Sequence, residues 1–236
     1  MGSITANAMS VDVEDYFQVS AFANCIDRES WDTLECRVEA NTRNALALFE
    51  DKGIKATFFV LGWIAKRYPG LVKEIVQQGH ELACHGFGHE QITVMTPEAF
   101  REDIREAKSL LEELGGVAVR GYRAPSYSIG KSTLWAIDIL KEEGFDYSSS
   151  IYPVKHDLYG IPDAPRTKYR HPNGLYEIPI STVELFGKNL PCGGGGFFRL
   201  YPYALSHWLL QKSRQQTEAP VNFYFHPWEL DPDQPK

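Results

Sequence analysis

Ala56-Thr57-Phe58-Phe59-Val60-Leu61 is an unbroken apolar run between Lys55 and Gly62. So short a run without polar alternation reads as a strand buried on both faces, as in parallel sheets covered by helices. Just upstream, residues 38–52 carry Val38, Leu46, Leu48 and Phe49 among charges and read as a helix closed by Gly53. Before that, Ser10-Val11-Asp12-Val13-Glu14-Asp15 starts as a strand and ends in acids, which are poor strand formers. A solvated edge or a helix cap would explain them, and so would a site. Residues 16–35 show no clean period and are expected as a long loop or short helical turns. Downstream come short helical stretches near 63–67 and from Pro69 to Gln78, then a strand over 80–84. Thr96-Pro97-Glu98 opens the clearest helix, with an apolar stripe of Phe100, Ile104, Ala107, Leu110, Leu111 and Leu114, ended by Gly115-Gly116. Strand 117–122, helix 132–143 and strand 145–148 follow. Beyond Ser150 the period fades into a loop over 151–173, a strand over 175–183, a helix over 202–214 and a last strand over 221–225. This alternation predicts parallel βα units, in an α/β barrel or a doubly wound sheet. In both, ligands gather at the carboxyl ends of the strands.

The 236 residues suffice for one large domain with a real core. A net charge of −7 with no basic stripe excludes a nucleic-acid binder. Aromatic residues at 13% suit a sugar site as well as core packing. The four cysteines are scattered without a Cys-x-x-Cys pair, which argues against a structural zinc cluster and requires no disulfide framework. No apolar run is long enough for a membrane span. Residues 1–8 lack the charged and apolar regions of a signal peptide and read as a cloning remnant before Met9, with 9–236 as a single domain in a cytoplasmic setting. The stop at residues 231–236, straight after a motif and without a closing helix, suggests a truncated chain.

The strand ends carry the chemistry: Asp12, Glu14 and Asp15 after the first strand, His85 and His89 after the third, Arg123 after the fourth and His226 after the last. His85-Gly86-Phe87-Gly88-His89 has the i, i+4 spacing of a zinc-binding helix, but two interior glycines would each cost about 1 kcal/mol there. A glycine turn that aims both rings at one point fits better. Two imidazoles and a carboxylate leave open positions on a metal, the pattern of a catalytic zinc site; ferrous iron in an oxygenase would use a similar set. A divalent metal lowers the pKa of water from 15.7 toward roughly 7. A second carboxylate can take the proton and a histidine can protonate a leaving group, so metal-assisted hydrolysis of an amide or ester is expected. Other features read plainly. His80 is expected at the surface, Cys84 in the core, and His156 and His171 in loops without partners by spacing. Trp31, Trp63 and Trp228 each read more simply as core than as ligand platforms. Gly193 to Gly196 lack a phosphate-loop context and form either a turn or, with Phe197, Phe198 and Arg199, part of a sugar-binding wall.

The motifs, in order, resemble the polysaccharide deacetylases of the NodB type (carbohydrate esterase family 4). Ser10-Val11-Asp12-Val13-Glu14-Asp15 is an altered form of the family's first motif, which has adjacent aspartates. His85-Gly86-Phe87-Gly88-His89 matches the second, with Gly in place of the usual hydroxyl residue. Arg123-Ala124-Pro125-Ser126, with Tyr127 one place later, resembles the third, Asp146-Tyr147-Ser148-Ser149-Ser150 the fourth, and Phe223-Tyr224-Phe225-His226 the fifth. Asp-Val-Glu-Asp-Tyr-Phe, Arg-Ala-Pro-Ser and His-Pro-Trp-Glu resemble the branch tied to bacterial exopolysaccharide production. The resemblance implies an irregular (β/α) barrel and one divalent metal, taken as zinc, on His85, His89 and either Glu14 or Asp15. It implies Asp12 as base, His226 as acid, the Ser126 backbone N–H as oxyanion donor, and Arg123 as the group orienting Asp12. Asp146 would pair with His226 or Arg123. Tyr127, Trp228 and Phe198 are the aromatic candidates for contact with an N-acetylated oligo- or polysaccharide, with acetate as product. The altered first motif leaves two alternatives: an allantoinase-like hydrolase of a cyclic amide, and a sugar-binding relative without chemistry.

Overall fold

The computed structural model describes residues 6–19, 22, 24–156 and 159–234. Most of the expected cloning remnant, and the last two residues of the expected truncated end, lie outside these, whereas Ala8 already opens the first strand. In chain order the elements are β1 (Ala8–Val13), α1 (Val38–Lys52), β2 (Thr57–Val60), α2 (Gly62–Arg67), α3 (Pro69–Gln77), β3 (Glu81–Cys84), α4 (Pro97–Gly115), β4 (Gly121–Tyr122), α5 (Trp135–Glu142) and β5 (Tyr147–Ser148). Then come β6 (Tyr169–Arg170), β7 (Tyr176–Glu177), β8 (Thr182–Leu185), β9 (Lys188–Pro191), α6 (Gly195–Leu200), α7 (Tyr203–Thr217) and β10 (Asn222–Phe225).

One sheet has the order β10-β1-β2-β3-β4-β5-β7-β6, parallel throughout except for the antiparallel β6–β7 edge. Its outer strands β10 and β6 do not pair, so the sheet is a curled half-barrel rather than a closed ring. The apolar run over 56–61 contains β2, with Phe58, Phe59 and Val60 all buried between its neighbours β1 and β3. Helices cover the outer face. α4 begins at Thr96, whose hydroxyl accepts from the Ala99 N–H at 3.2 Å, and ends on Gly116 in the left-handed region. It buries Phe100, Ile104, Ala107 and Leu111, each large apolar side chain contributing about 1.5–3 kcal/mol. α1 likewise ends at a left-handed Gly53 and buries Val38, Ala45, Leu46 and Phe49.

The fold corrects three expectations. The strand expected over 175–183 is two, β7 and β8, separated at Ile178-Pro179, because proline lacks the N–H a ladder needs. The turn-or-wall expected at the four glycines leads into α6. A Cβ on Gly193 would lie 2.5 Å from the Asn222 carbonyl oxygen, so the missing side chain lets this segment run against β10. His80 is buried rather than exposed, its Nδ1 accepting from the Ala56 N–H at 3.1 Å between Phe49 and Phe58.

Candidate active site and metal centre

Parallel neighbours deliver their carboxyl ends to one rim. Glu14 follows β1, His85 follows β3 with its N–H on the Val60 carbonyl (3.0 Å), Arg123 follows β4 on the Cys84 carbonyl (2.9 Å), and His226 follows β10. After His85 the chain turns at Gly86 (φ 78°), and the Asp103 carboxylate accepts from the Phe87 N–H at 2.9 Å. This brings His89 back beside His85, as the glycine spacing predicted. Glu14, His85 and His89 each offer a ligand atom within 4.8 Å of the others. Glu14 Oε2 lies 2.5 Å from His89 Nε2 and 3.8 Å from His85 Nε2.

The set fits a divalent metal. His85 Nδ1 lies 2.8 Å from the Arg123 carbonyl oxygen, so Nδ1 carries the proton and the Nε2 lone pair faces the cluster. Burial drives the His85 imidazolium down to about 4, leaving the neutral ring a metal requires. Burial alone would raise Glu14, but His89, His226 and His85 outweigh it and hold the carboxyl at about 2. Its buried Oε2 nonetheless makes no hydrogen bond of acceptable geometry, an orphaned acceptor that a cation would satisfy.

His226 completes the rim, with Nε2 3.2 Å from Glu14 Oε1 and Nδ1 donating to Glu229 Oε1 at 2.7 Å. Burial would lower its pKa, but Glu14 and Glu229 lift it to about 9. Glu229 was not singled out in the sequence, although its position three residues after His226 is a local capping signal: its carboxylate also accepts from the His226 N–H at 3.1 Å. Gly195 lets α6 approach this carboxylate, since a Cβ there would meet Oε2 at 2.3 Å. Glu229→Gln removes an anionic partner, so His226 should lose its proton at lower pH. The alkaline limb of the kcat/KM profile should therefore move acidward while metal content holds.

Asp12 is buried, and its Oδ1 accepts from Arg123 Nη1 at 2.5 Å. The expected pairing of Asp146 is corrected. Its carboxylate is exposed at the amino end of β5 and meets Arg120 at 3.2 Å, remote from the rim because it precedes the strand rather than follows it. The serines after β5 hold Arg123 instead: the Ser149 carbonyl accepts from Nε (3.1 Å) and its hydroxyl from Nη2 (2.9 Å), while Ser150 Oγ accepts from the Ala124 N–H.

Asp15 is not beside the histidines. Its carboxylate accepts from the backbone N–H groups of Tyr16 (2.9 Å), Arg37 (2.7 Å) and Val38 (2.9 Å), capping a short 3-10 turn and the start of α1. Strand alternation accounts for the choice: Glu14 shares a face with Asp12 and Asp15 points away. Asp15→Asn should cost about 1–3 kcal/mol of stability in denaturant titration, because it loses charge-assisted acceptors.

Asp12, Glu14, His85, His89, Ser126, Tyr127, Tyr159, Tyr224, His226 and Trp228 line a cleft of about 220 Å³. Trp228 stacks on His226 with centroids 5.0 Å apart. Tyr127 Oη and Trp228 Nε1 are buried and without hydrogen-bond partners among the described residues. Phe198 does not line the cleft; it lies on α6 and packs edge-on against Phe223 and Tyr203.

A curled parallel sheet with two histidines and a carboxylate at its strand ends defines the (β/α)-barrel class with a candidate metal centre. The polysaccharide deacetylase model matches residues 28–147, and the chain belongs to that family. A domain of unknown function (DUF3473) matches residues 149–236, where His226 lies. A peptidoglycan deacetylase-like protein of Gibberella zeae is 34% identical over 105 residues, 44% of this chain and 30% of that protein. A peptidoglycan-N-acetylglucosamine deacetylase of Bacillus cereus is 31% identical over 98 residues, 41% of this chain and 36% of that protein. The match thus spans about a third of the length of these curated relatives. Among solved structures, a Mycobacterium smegmatis protein provisionally described as a polysaccharide deacetylase superposes with TM-score 0.64 at 22% identity, covering 97% of this chain and 78% of that one. An allantoinase superposes with TM-score 0.63 at 19% identity (96% and 79%). A Bacillus anthracis carbohydrate esterase family 4 pseudoenzyme superposes with TM-score 0.53 at 13% identity (94% and 55%). These likenesses show the fold alone.

Proposed function

We propose that the chain is a metal-dependent N-deacetylase of an acetylated glycan, with Glu14, His85 and His89 holding zinc. The observation that carries this reading is the assembly on one rim of a metal-type cluster, an Arg-bound carboxylate at Asp12 and a Glu229-bound imidazolium at His226. When bound, the metal would supply Lewis acidity to the acetyl carbonyl and make water nucleophilic near neutral pH. Asp12, oriented by Arg123, takes the proton of the attacking water. The new C–O bond forms, the C–N bond breaks, and His226 delivers a proton to the departing amine. The Ser126 backbone N–H is the proposed oxyanion donor, an interaction commonly worth about 3 kcal/mol. Tyr127 Oη and Trp228 Nε1 border the cleft as donors left over for a sugar hydroxyl or the acetyl oxygen. An exopolysaccharide is the proposed natural substrate, and the relatives named for peptidoglycan make N-acetylglucosamine the sugar to test first.

The test is incubation with zinc and N-acetylglucosamine oligomers, following acetate and free amine together. They should appear in equal amounts. Ring opening of allantoin without acetate from any glycan would instead assign a cyclic-amide hydrolase, and oligomer binding without turnover a sugar-binding protein.

A further inference from the structure

Residues 185–217 contain Lys188, Arg199, Lys212 and Arg214 but no Asp or Glu, in a chain of net charge −7. The same stretch leaves large apolar side chains in solvent: Phe186 at 100% exposure, Leu200 at 74%, Tyr203 at 70% and Trp208 at 49%. α7 buries Ser206, Leu209 and Ser213. At 100° per residue its opposite face carries Ala204, Trp208 and Gln211, with Tyr203 on one flank and Leu205 on the other. The helix packs Leu209 inward against Val183 and Cys192 together with two hydroxyls, and turns a tryptophan outward. Phe198 packs edge-on against Tyr203 at 6.2 Å, which joins the end of α6 to the same surface. Lys212 lies over the Trp208 ring at 5.4 Å. Among the described residues Lys188, Lys212 and Arg214 have no carboxylate within ion-pair distance, whereas Arg199 turns to Glu229 at 3.0 Å.

We propose that this face, formed by α6 and the outer side of α7, docks on a bilayer surface rich in anionic phospholipid. Exposed Trp, Tyr, Phe and Leu beside unpaired cations are the composition of a segment that lies in the headgroup region without spanning. Charge complementarity selects the occupant: the longest acid-free stretch of an acidic chain would face lipid phosphates. A second copy would set these cations against themselves. A glycan site would call for carboxylate partners beside its rings, and α6 and α7 offer exposed leucines and no carboxylate. Arg199 on α6 reaches Glu229, the partner of His226, so the docking face adjoins the cleft.

The test is co-sedimentation of the full chain with phosphatidylcholine vesicles, with and without phosphatidylglycerol. Binding should require the anionic lipid and weaken as salt is raised. Lys212→Glu with Arg214→Glu should lower vesicle affinity at least about 25-fold, since each cation near such a surface contributes about fivefold. Leu200→Ser with Trp208→Ser should abolish binding at moderate salt. None of these side chains is buried, and thermal unfolding should stay within a few degrees of the parent. Three results would overturn the proposal: no vesicle binding, equal binding to neutral vesicles, or binding only to a soluble acidic polysaccharide. A dimer in light scattering that both double variants dissolve would assign the face to a second copy instead.

Discussion

His85→Ala is expected to reduce kcat/KM for acetate release by about a thousandfold or more while the chain stays folded. The activation a metal supplies is several kcal/mol, and each 1.36 kcal/mol is about a factor of ten in rate. His85 presents Nε2 to the cluster because Nδ1 is fixed on the Arg123 carbonyl, and alanine offers no ligand atom in its place. Metal content should fall with the rate. Circular dichroism and thermal unfolding separate this from misfolding, and full retention of metal by a folded His85→Ala would place the ion elsewhere.

The second large effect is His226→Ala. Loss of one positioned acid typically costs roughly 100- to 10,000-fold. Here the loss should fall on the amide substrate while metal binding persists, because His226 contacts Glu14 Oε1 and not the oxygen nearest the other two histidines. An aryl acetate, whose leaving group departs without a proton, should be affected far less. The pH dependence has a matching sign. His226, lifted to about 9 by its two carboxylates in the metal-free arrangement, holds its proton at neutral pH, and with His226 as the proposed acid the rate should fall as pH rises through its pKa. A metal on Glu14 would draw off part of that stabilisation and move the limb lower. Equal losses on amide and aryl ester would remove His226 from the acid role.

Where structure is set by neighbours in sequence, the reading was close. α1 and α4 stand within a residue or so of expectation, since Gly53, Thr96-Pro97 and Gly115-Gly116 act locally as caps and stops. β4 and β5 shrank to two residues each, because strand length depends on partners that the sequence does not display. At the site, the histidine pair and the strand-end acids were legible from type and spacing. The choice between Glu14 and Asp15 depended on which of them met the N–H groups of Arg37 and Val38, a contact 22 residues or more away in sequence. Asp146 misled because an acid before a strand lies at the wrong end of it. The work assigned to it is shared by Glu229, which orients His226, and by Ser149, which holds Arg123. Backbone carbonyls and hydroxyls carry little signature in a single sequence, so the fourth motif contains Ser149 without disclosing its hold on Arg123.

The most direct test of the site is metal content after dialysis against zinc, compared for the parent chain, Glu14→Gln and Asp15→Asn. Glu14 sits among His85, His89 and His226, while Asp15 is occupied with three backbone donors. One zinc per chain is predicted for the parent and for Asp15→Asn, the latter less stable, with most of the zinc lost from Glu14→Gln. Zinc retained by Glu14→Gln and lost from a folded Asp15→Asn would contradict the assignment.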